Sequence, residues 1–201
     1  MHDQTFQLDR VTLFAKTPNK IFLGHIGSSL VLIYLALPVL PQSVIMAWGL
    51  LEVIITPVLL YLLGQRAIKV VANKLPTKSL ENQLDALIGF IGISWGLFLA
   101  FSLNPDNPAH FGMQMAIAAG ASAASVKSLG IFRRAFYLYE IPFMTLVATR
   151  LFIIGGDHIW LGILVLVFMI MLSGYAKDTY DGLTDYFNVK LENLDLALKY
   201  N

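Results

Sequence analysis

Four side chains stand inside apolar stretches that would exclude them unless they had partners: Glu52, Arg150, His25 and Trp95. A charge near the middle of a membrane helix costs about 2.5–3.5 kcal/mol on insertion scales, so intramembrane charges are read first as functional. At 1.5 Å per residue, Glu52 falls about 12 Å below one end of its apolar run and Arg150 about 6 Å below the corresponding end of its own. Those depths bring a long guanidinium within reach of the carboxylate, so the two would pair or jointly hold the headgroup of an apolar or amphipathic ligand. In the competing reading Arg150 extends to the interface and a neutral Glu52 bonds a neighbour such as Thr56. His25, about 6 Å inside its run, is read as a hydrogen-bonded packing residue and as a further member of any ligand site. Trp95 lies between Gly92 and Gly96. A large core side chain opposite glycines is the preferred reading, a pocket wall the alternative.

Other chemistry is sparse. Asp106, His110, Asp157 and His158 are residue types that zinc uses, but they sit in NPDNP and GGD segments whose composition is that of turns. Turns are the reading taken, and no metal, haem or other cofactor is expected. The chain has no Cys and no GxSxG, HExxH, GxxxxGK[ST] or GxGxxG motif. Thiolate, serine-hydrolase, zincin and phosphate-loop chemistries therefore have no residues to carry them, and this region is expected not to be an enzyme.

The elements that must position the four side chains are membrane helices. Of 201 residues, 57% are hydrophobic and 13% charged, with a mean hydropathy of +0.68, far from the soluble balance. Six apolar runs approach the ~20 residues that cross a bilayer: Ile21 to Leu40, Val44 to Leu63, Leu84 to Leu103, Phe111 to Ile131, Phe136 to Ile154 and Ile159 to Tyr175. Thirteen of the 14 basic residues lie before run one, between two and three, at the junction of four and five, or after six, Arg150 being the exception. The positive-inside rule then puts both termini in the cytoplasm. Trp48 and Trp160 near outer ends, with Tyr61, Tyr137, Tyr139 and Tyr175 near inner ends, fit aromatic belts. Run four carries small residues every fourth position, Gly112, Ala116, Gly120 and Ala124, which predicts a central, closely packed helix. Asp85 and Glu140 are read as helix-start carboxylates facing the dipole.

Past run six, Tyr180, Thr184, Phe187, Leu191, Leu194 and Leu198 recur with 4-3-4-3-4 spacing. A narrow stripe of this kind needs a second helix, and the shared N-in, C-in topology makes that a parallel homodimer. The stripe reaches Asn201 with no Gly or Pro stop, so the helix is expected to continue into a further domain. The expected organisation is a cytoplasmic segment over 1–20, a six-helix transmembrane domain over 21–175, and a coiled-coil signalling helix over 176–201, all α. The bilayer, a second copy and a small ligand are the expected partners, and no nucleic acid.

The segment FRRAFYLYEIPFMTLVATRLFIIGG, with its aromatics Phe136, Tyr137 and Tyr139 ahead of Pro142 and with Arg150 before Gly155-Gly156, is followed by Glu192-Asn193 among Leu191, Leu194 and Leu198. Across the last 70 or so residues this resembles the N-terminal six-span sensor regions of bacterial diguanylate cyclases (GGDEF proteins) and histidine kinases, the MASE-type modules. The resemblance implies an input domain that detects a membrane-accessible or periplasmic cue and controls a cyclase or kinase domain absent from these residues. The alternative is a small transporter or channel with an amphipathic tail. A weaker third is a membrane enzyme built on Glu52, Arg150 and His25.

Overall fold

The computed structural model describes residues 10–12, 18–73 and 75–200, with the side chains of 18–22, 191, 194, 195 and 197–200 outside that description. The described residues are helical with no strand. The helices are α1 (Pro18–Ala36), α2 (Gln42–Gly49), a π-helical turn (Leu50–Ile55), α3 (Thr56–Ala72), α4 (Lys78–Ser102), α5 (Pro108–Leu129), α6 (Arg133–Ile154) and α7 (His158–Tyr200). With the π turn inserted, α2 and α3 form one rod from Gln42 to Ala72.

Each apolar run is carried mainly by a helix, but among the described residues only four helices are long and apolar enough to cross a membrane: Gln42–Ala72, Lys78–Ser102, Arg133–Ile154 and the His158–Lys190 part of α7. The described apolar part of α1, Leu23–Ala36, is shorter than a span. The Ala, Gly and Ser of α5 bury too little carbon to reach span-like hydropathy. Side chains such as Ile153 (69% exposed), Ile170 (67%) and Leu164 (60%) face outward on these helices, the pattern of a surface solvated by hydrocarbon.

The bundle is built around α6. It packs most extensively against α4 and next against α7, while α5 touches α1, α6 and α7. Glycine permits the α4–α6 approach: a Cβ on Gly92 would overlap the Tyr139 carbonyl, and one on Gly96 would meet Leu146 Cδ1 at 2.8 Å and Phe143 Cα at 3.0 Å. Small residues allow backbones this close where no hydrophobic effect drives helices together. The stripe on α5 does not do this. Gly112, Ala116, Gly120 and Ala124 are exposed, and space around Gly112 and Gly120 is open. Instead α5 buries Gln114, Ala118, Ser122 and Ser125, so the expected central packing helix lies to one side and turns its polar residues inward.

The connections are local. Asn107 caps α5 by accepting the His110 amide hydrogen at 3.2 Å, with Pro108 at the first turn. Gly155 and Gly156, at φ 80° and 57°, take left-handed conformations that other residues resist and reverse the chain between α6 and α7. Helix α7 is unbroken over 43 residues, about 64 Å at 1.5 Å per residue, roughly twice the ~30 Å hydrocarbon core.

Candidate functional site

The site begins with a local conflict in the α2–α3 rod. Pro57 has no N–H to return to the preceding turn, and just before it the helix widens: the Thr56 N–H bonds the Leu51 carbonyl, five residues back. In this register the carbonyl of Glu52 would be served by the N–H of residue 57, which proline lacks. His25 of α1 fills the gap, its Nε2 lying 3.1 Å from the Glu52 carbonyl oxygen and 3.2 Å from Glu52 Oε2. Both are acceptors when the carboxyl is ionised, so Nε2 carries the hydrogen. Single π turns of this kind recur at functional positions.

The Glu52 side chain is fully buried and bonded on both oxygens. Ser94 Oγ donates to Oε1 at 2.6 Å, and Trp95 Nε1–H donates to Oε2 at 3.3 Å. The Trp48 indole N–H in turn donates to Ser94 Oγ at 3.1 Å, giving a chain from α2 through α4 back to the π turn. Aromatic rings enclose it. Trp48 stacks on Phe98 at 3.8 Å, and Trp95 lies 5.2 Å from the His25 ring and meets Phe143 of α6 edge-on at 6.4 Å. Three helices are thus tied at one carboxylate inside an apolar shell, where each hydrogen bond is worth more than at a wet surface.

Three of the four sequence candidates, Glu52, His25 and Trp95, meet here. Arg150 does not. Among the described residues no ion pair joins it to Glu52, and its Nε is buried without a hydrogen-bond partner. The expected Glu52–Arg150 pair is replaced by Glu52–His25, because depth along a helix leaves undetermined which way a side chain faces. Thr56 is not the Glu52 partner either, its hydroxyl being buried and unbonded. Trp95 is a core side chain, 2% exposed, that also donates to the carboxylate.

Sequence reasoning missed Ser94, Trp48 and Glu140. Trp48, expected in an aromatic belt, is only 8% exposed, whereas Trp160, at 69%, faces outward. Glu140 is not at a helix start but a full two turns into α6, which begins at Arg133, and is fully buried. Ser125 Oγ reaches its Oε2 at 3.3 Å, while Oε1 and the neighbouring Ser122 hydroxyl have no well-aligned partner. The only available signal was that α5 pairs an otherwise apolar surface with serines.

The loop histidines do not form a metal centre: among the described residues no group of three or more His, Asp or Glu converges. His158 packs edge-on to Phe111 at 5.2 Å, with Nδ1 3.2 Å from the Gly155 carbonyl oxygen. On α7, Phe187 is buried within the single chain (6% exposed), whereas Tyr186 (64%), Val189 (56%) and Leu196 (49%) face out. The expected seam residue Phe187 is therefore already covered. Tyr180 and Thr184 are half-buried, and the side chains of Leu191, Leu194 and Leu198 lie outside the described residues. Compared with known proteins, the chain matches no family model, no curated protein and no solved structure.

Proposed function

We propose that this chain is a six-span sensory input module of a bacterial inner membrane, with both termini cytoplasmic, whose His25–Glu52 knot responds to a membrane-accessible or periplasmic cue. The observation that carries this reading is α7, which runs without interruption from its packing against α6 into a polar segment well beyond one membrane thickness. A rigid rod leaving a bundle transmits any shift of that bundle, and α6 contacts both the rod and, through Phe143, the Trp95 that holds Glu52. The one-sided basic residues support the orientation. A parallel second copy would meet the exposed stripe of Tyr186, Val189 and Leu196, with Asn193 at the kind of polar seam position that fixes register. The output would be a diguanylate cyclase or kinase domain, as the MASE-type resemblance implies.

The test joins residues 1–201 to a diguanylate cyclase catalytic domain and measures cyclic dinucleotide in cells. Glu52→Gln and His25→Ala are expected to shift output severalfold at equal membrane abundance, with Glu140→Gln leaving it unchanged. Output indifferent to both knot variants would remove the sensing role. One observation favours a second reading: a buried carboxylate–imidazole pair within the bundle is also what a proton-coupled carrier would use. Proton uptake by proteoliposomes that disappears in Glu52→Gln would decide for the carrier.

A further inference from the structure

A cleft of about 740 Å³ opens between the first turns of α4 and α6, against Tyr180 of α7. It is separate from the Glu52 knot and touches the α7 stripe only at Tyr180. Its rim gathers four cations, Arg10, Lys78, Arg133 and Arg134, against two carboxylates, Glu81 and Asp85. Arg10 Nη2 pairs with Glu81 at 3.1 Å, and Arg134 Nε with Asp85 at 3.2 Å, its side chain still 70% exposed. Among the described residues Lys78 and Arg133 make no salt bridge, although Lys78 lies within electrostatic reach of Asp85, and Arg133 lies over the Tyr137 ring, 5.9 Å from its centre. Four cations against two carboxylates leave the rim net positive. The α6 N-terminus adds to that charge, because its cap residue Phe132 has no side-chain acceptor for the first-turn N–H groups.

Below the rim the lining turns apolar. Ile93 (46% exposed), Leu138 (37%) and Ile141 (49%) face outward along the walls, and the absence of a side chain at Gly89, where a Cβ would touch Leu138 Cβ at 3.5 Å, deepens the floor. The cleft also sits at the right depth: Tyr180 is 22 residues along α7 from His158, about 33 Å at the helical rise and so one hydrocarbon thickness from the other end.

A positive rim at the interface above an apolar groove on a hydrocarbon-facing surface matches one occupant in charge and in shape. We propose that this cleft binds an anionic phospholipid, the phosphodiester held by Arg133, Lys78 and the α6 N-terminus and an acyl chain lying along Ile93, Leu138 and Ile141. Basic pockets between membrane helices recognise anionic headgroups in this way. The inference requires a chain embedded in a bilayer and is independent of the sensory reading.

The test is native mass spectrometry of the purified full chain in detergent with equimolar dioleoyl phosphatidylglycerol and dioleoyl phosphatidylcholine. Phosphatidylglycerol should be retained preferentially. Lys78→Gln with Arg133→Gln should weaken that retention roughly thirtyfold, at about 1 kcal/mol per cation near the surface, while Lys177→Gln with Lys190→Gln leaves it intact. Ile141→Gln should weaken both lipids alike while helicity is kept. Equal retention of the two lipids, or indifference to the Lys78 and Arg133 changes, would overturn the proposal. Displacement of the lipid by millimolar inorganic phosphate would also overturn it, in favour of a free-anion site. All three rim and groove variants are at exposed positions, so circular dichroism is expected to match the parent, and a variant that misfolds is replaced by Arg133→Lys, which should retain most of the preference.

Discussion

Glu52 and Glu140 are both fully buried in the bundle, yet Glu52 is surrounded by three donors from two neighbouring helices, whereas Glu140 faces only the Ser122 and Ser125 hydroxyls. At Glu52, Ser94, Trp95 and His25 each bring a hydrogen. At Glu140, the Ser125 hydroxyl has a shorter alternative in the Ser122 carbonyl at 2.7 Å. A buried carboxyl that satisfies several neighbours cannot be removed without orphaning them, whereas one that satisfies almost none can. Identical residue type and identical burial thus lead to opposite structural roles, and the difference lies in the partners' alternatives.

The largest expected effect is the contrast between Glu52→Leu and Glu140→Leu. The first should cost about 3–5 kcal/mol by stranding buried donors, a fall of roughly 10 °C in the unfolding midpoint in detergent. The second should change the midpoint little or raise it. Equal losses would erase the distinction. Next comes the wall between the two carboxylates. Tyr139 lies within electrostatic reach of both, and its carbonyl occupies the space a Cβ on Gly92 would need. Gly92→Ala should therefore cost about 1–3 kcal/mol by overpacking, and Gly112→Ala, in open space, almost nothing. A smaller test sharpens the Glu52 side: His25→Ala should lose about 1–3 kcal/mol by orphaning the Glu52 carbonyl. His25→Gln, which still offers an N–H, should recover part of it; no recovery would show that ring packing on Trp95 is what matters.

The smallest effect in energy is the most informative about signalling. In this Cys-free chain, Val189→Cys and Asn193→Cys should crosslink between copies in native membranes and Phe187→Cys should not. Adding Glu52→Gln should change the crosslinking rate, and adding Glu140→Gln should leave it alone. Efficient crosslinking at 187 would restore the seam read from the sequence.

Polar groups in apolar runs were enough to find Glu52 and His25, because the cost of burying them makes such residues conspicuous, and a mid-run tryptophan between Gly92 and Gly96 pointed to Trp95. Their true grouping was hidden. Run boundaries give depth but not azimuth, so Arg150 looked like a partner at matching depth, and the π turn ahead of Pro57 altered the facing of the residues around it. Ser94 carried no signal, since a lone serine in an apolar helix usually bonds its own backbone, as Ser29 does to the His25 carbonyl oxygen at 2.8 Å. The tail shows the same limit. Tyr180-Thr184-Phe187 and Tyr186-Val189-Leu196 are equally regular stripes, and which of them the chain covers for itself is decided by tertiary packing, not by spacing.

The length of α7 has a mechanical consequence. A straight rod of 43 residues, about 64 Å long, acts as a lever whose fulcrum is the place where α6 grips it. A tilt of about 5° at the grip moves the tip of the ~30 Å arm beyond Tyr180 sideways by roughly 3 Å. Rearrangements too small to open a cavity or break a single hydrogen bond around Trp95 and Phe143 would then arrive at the far tip as a sideways shift comparable to the width of a methyl group.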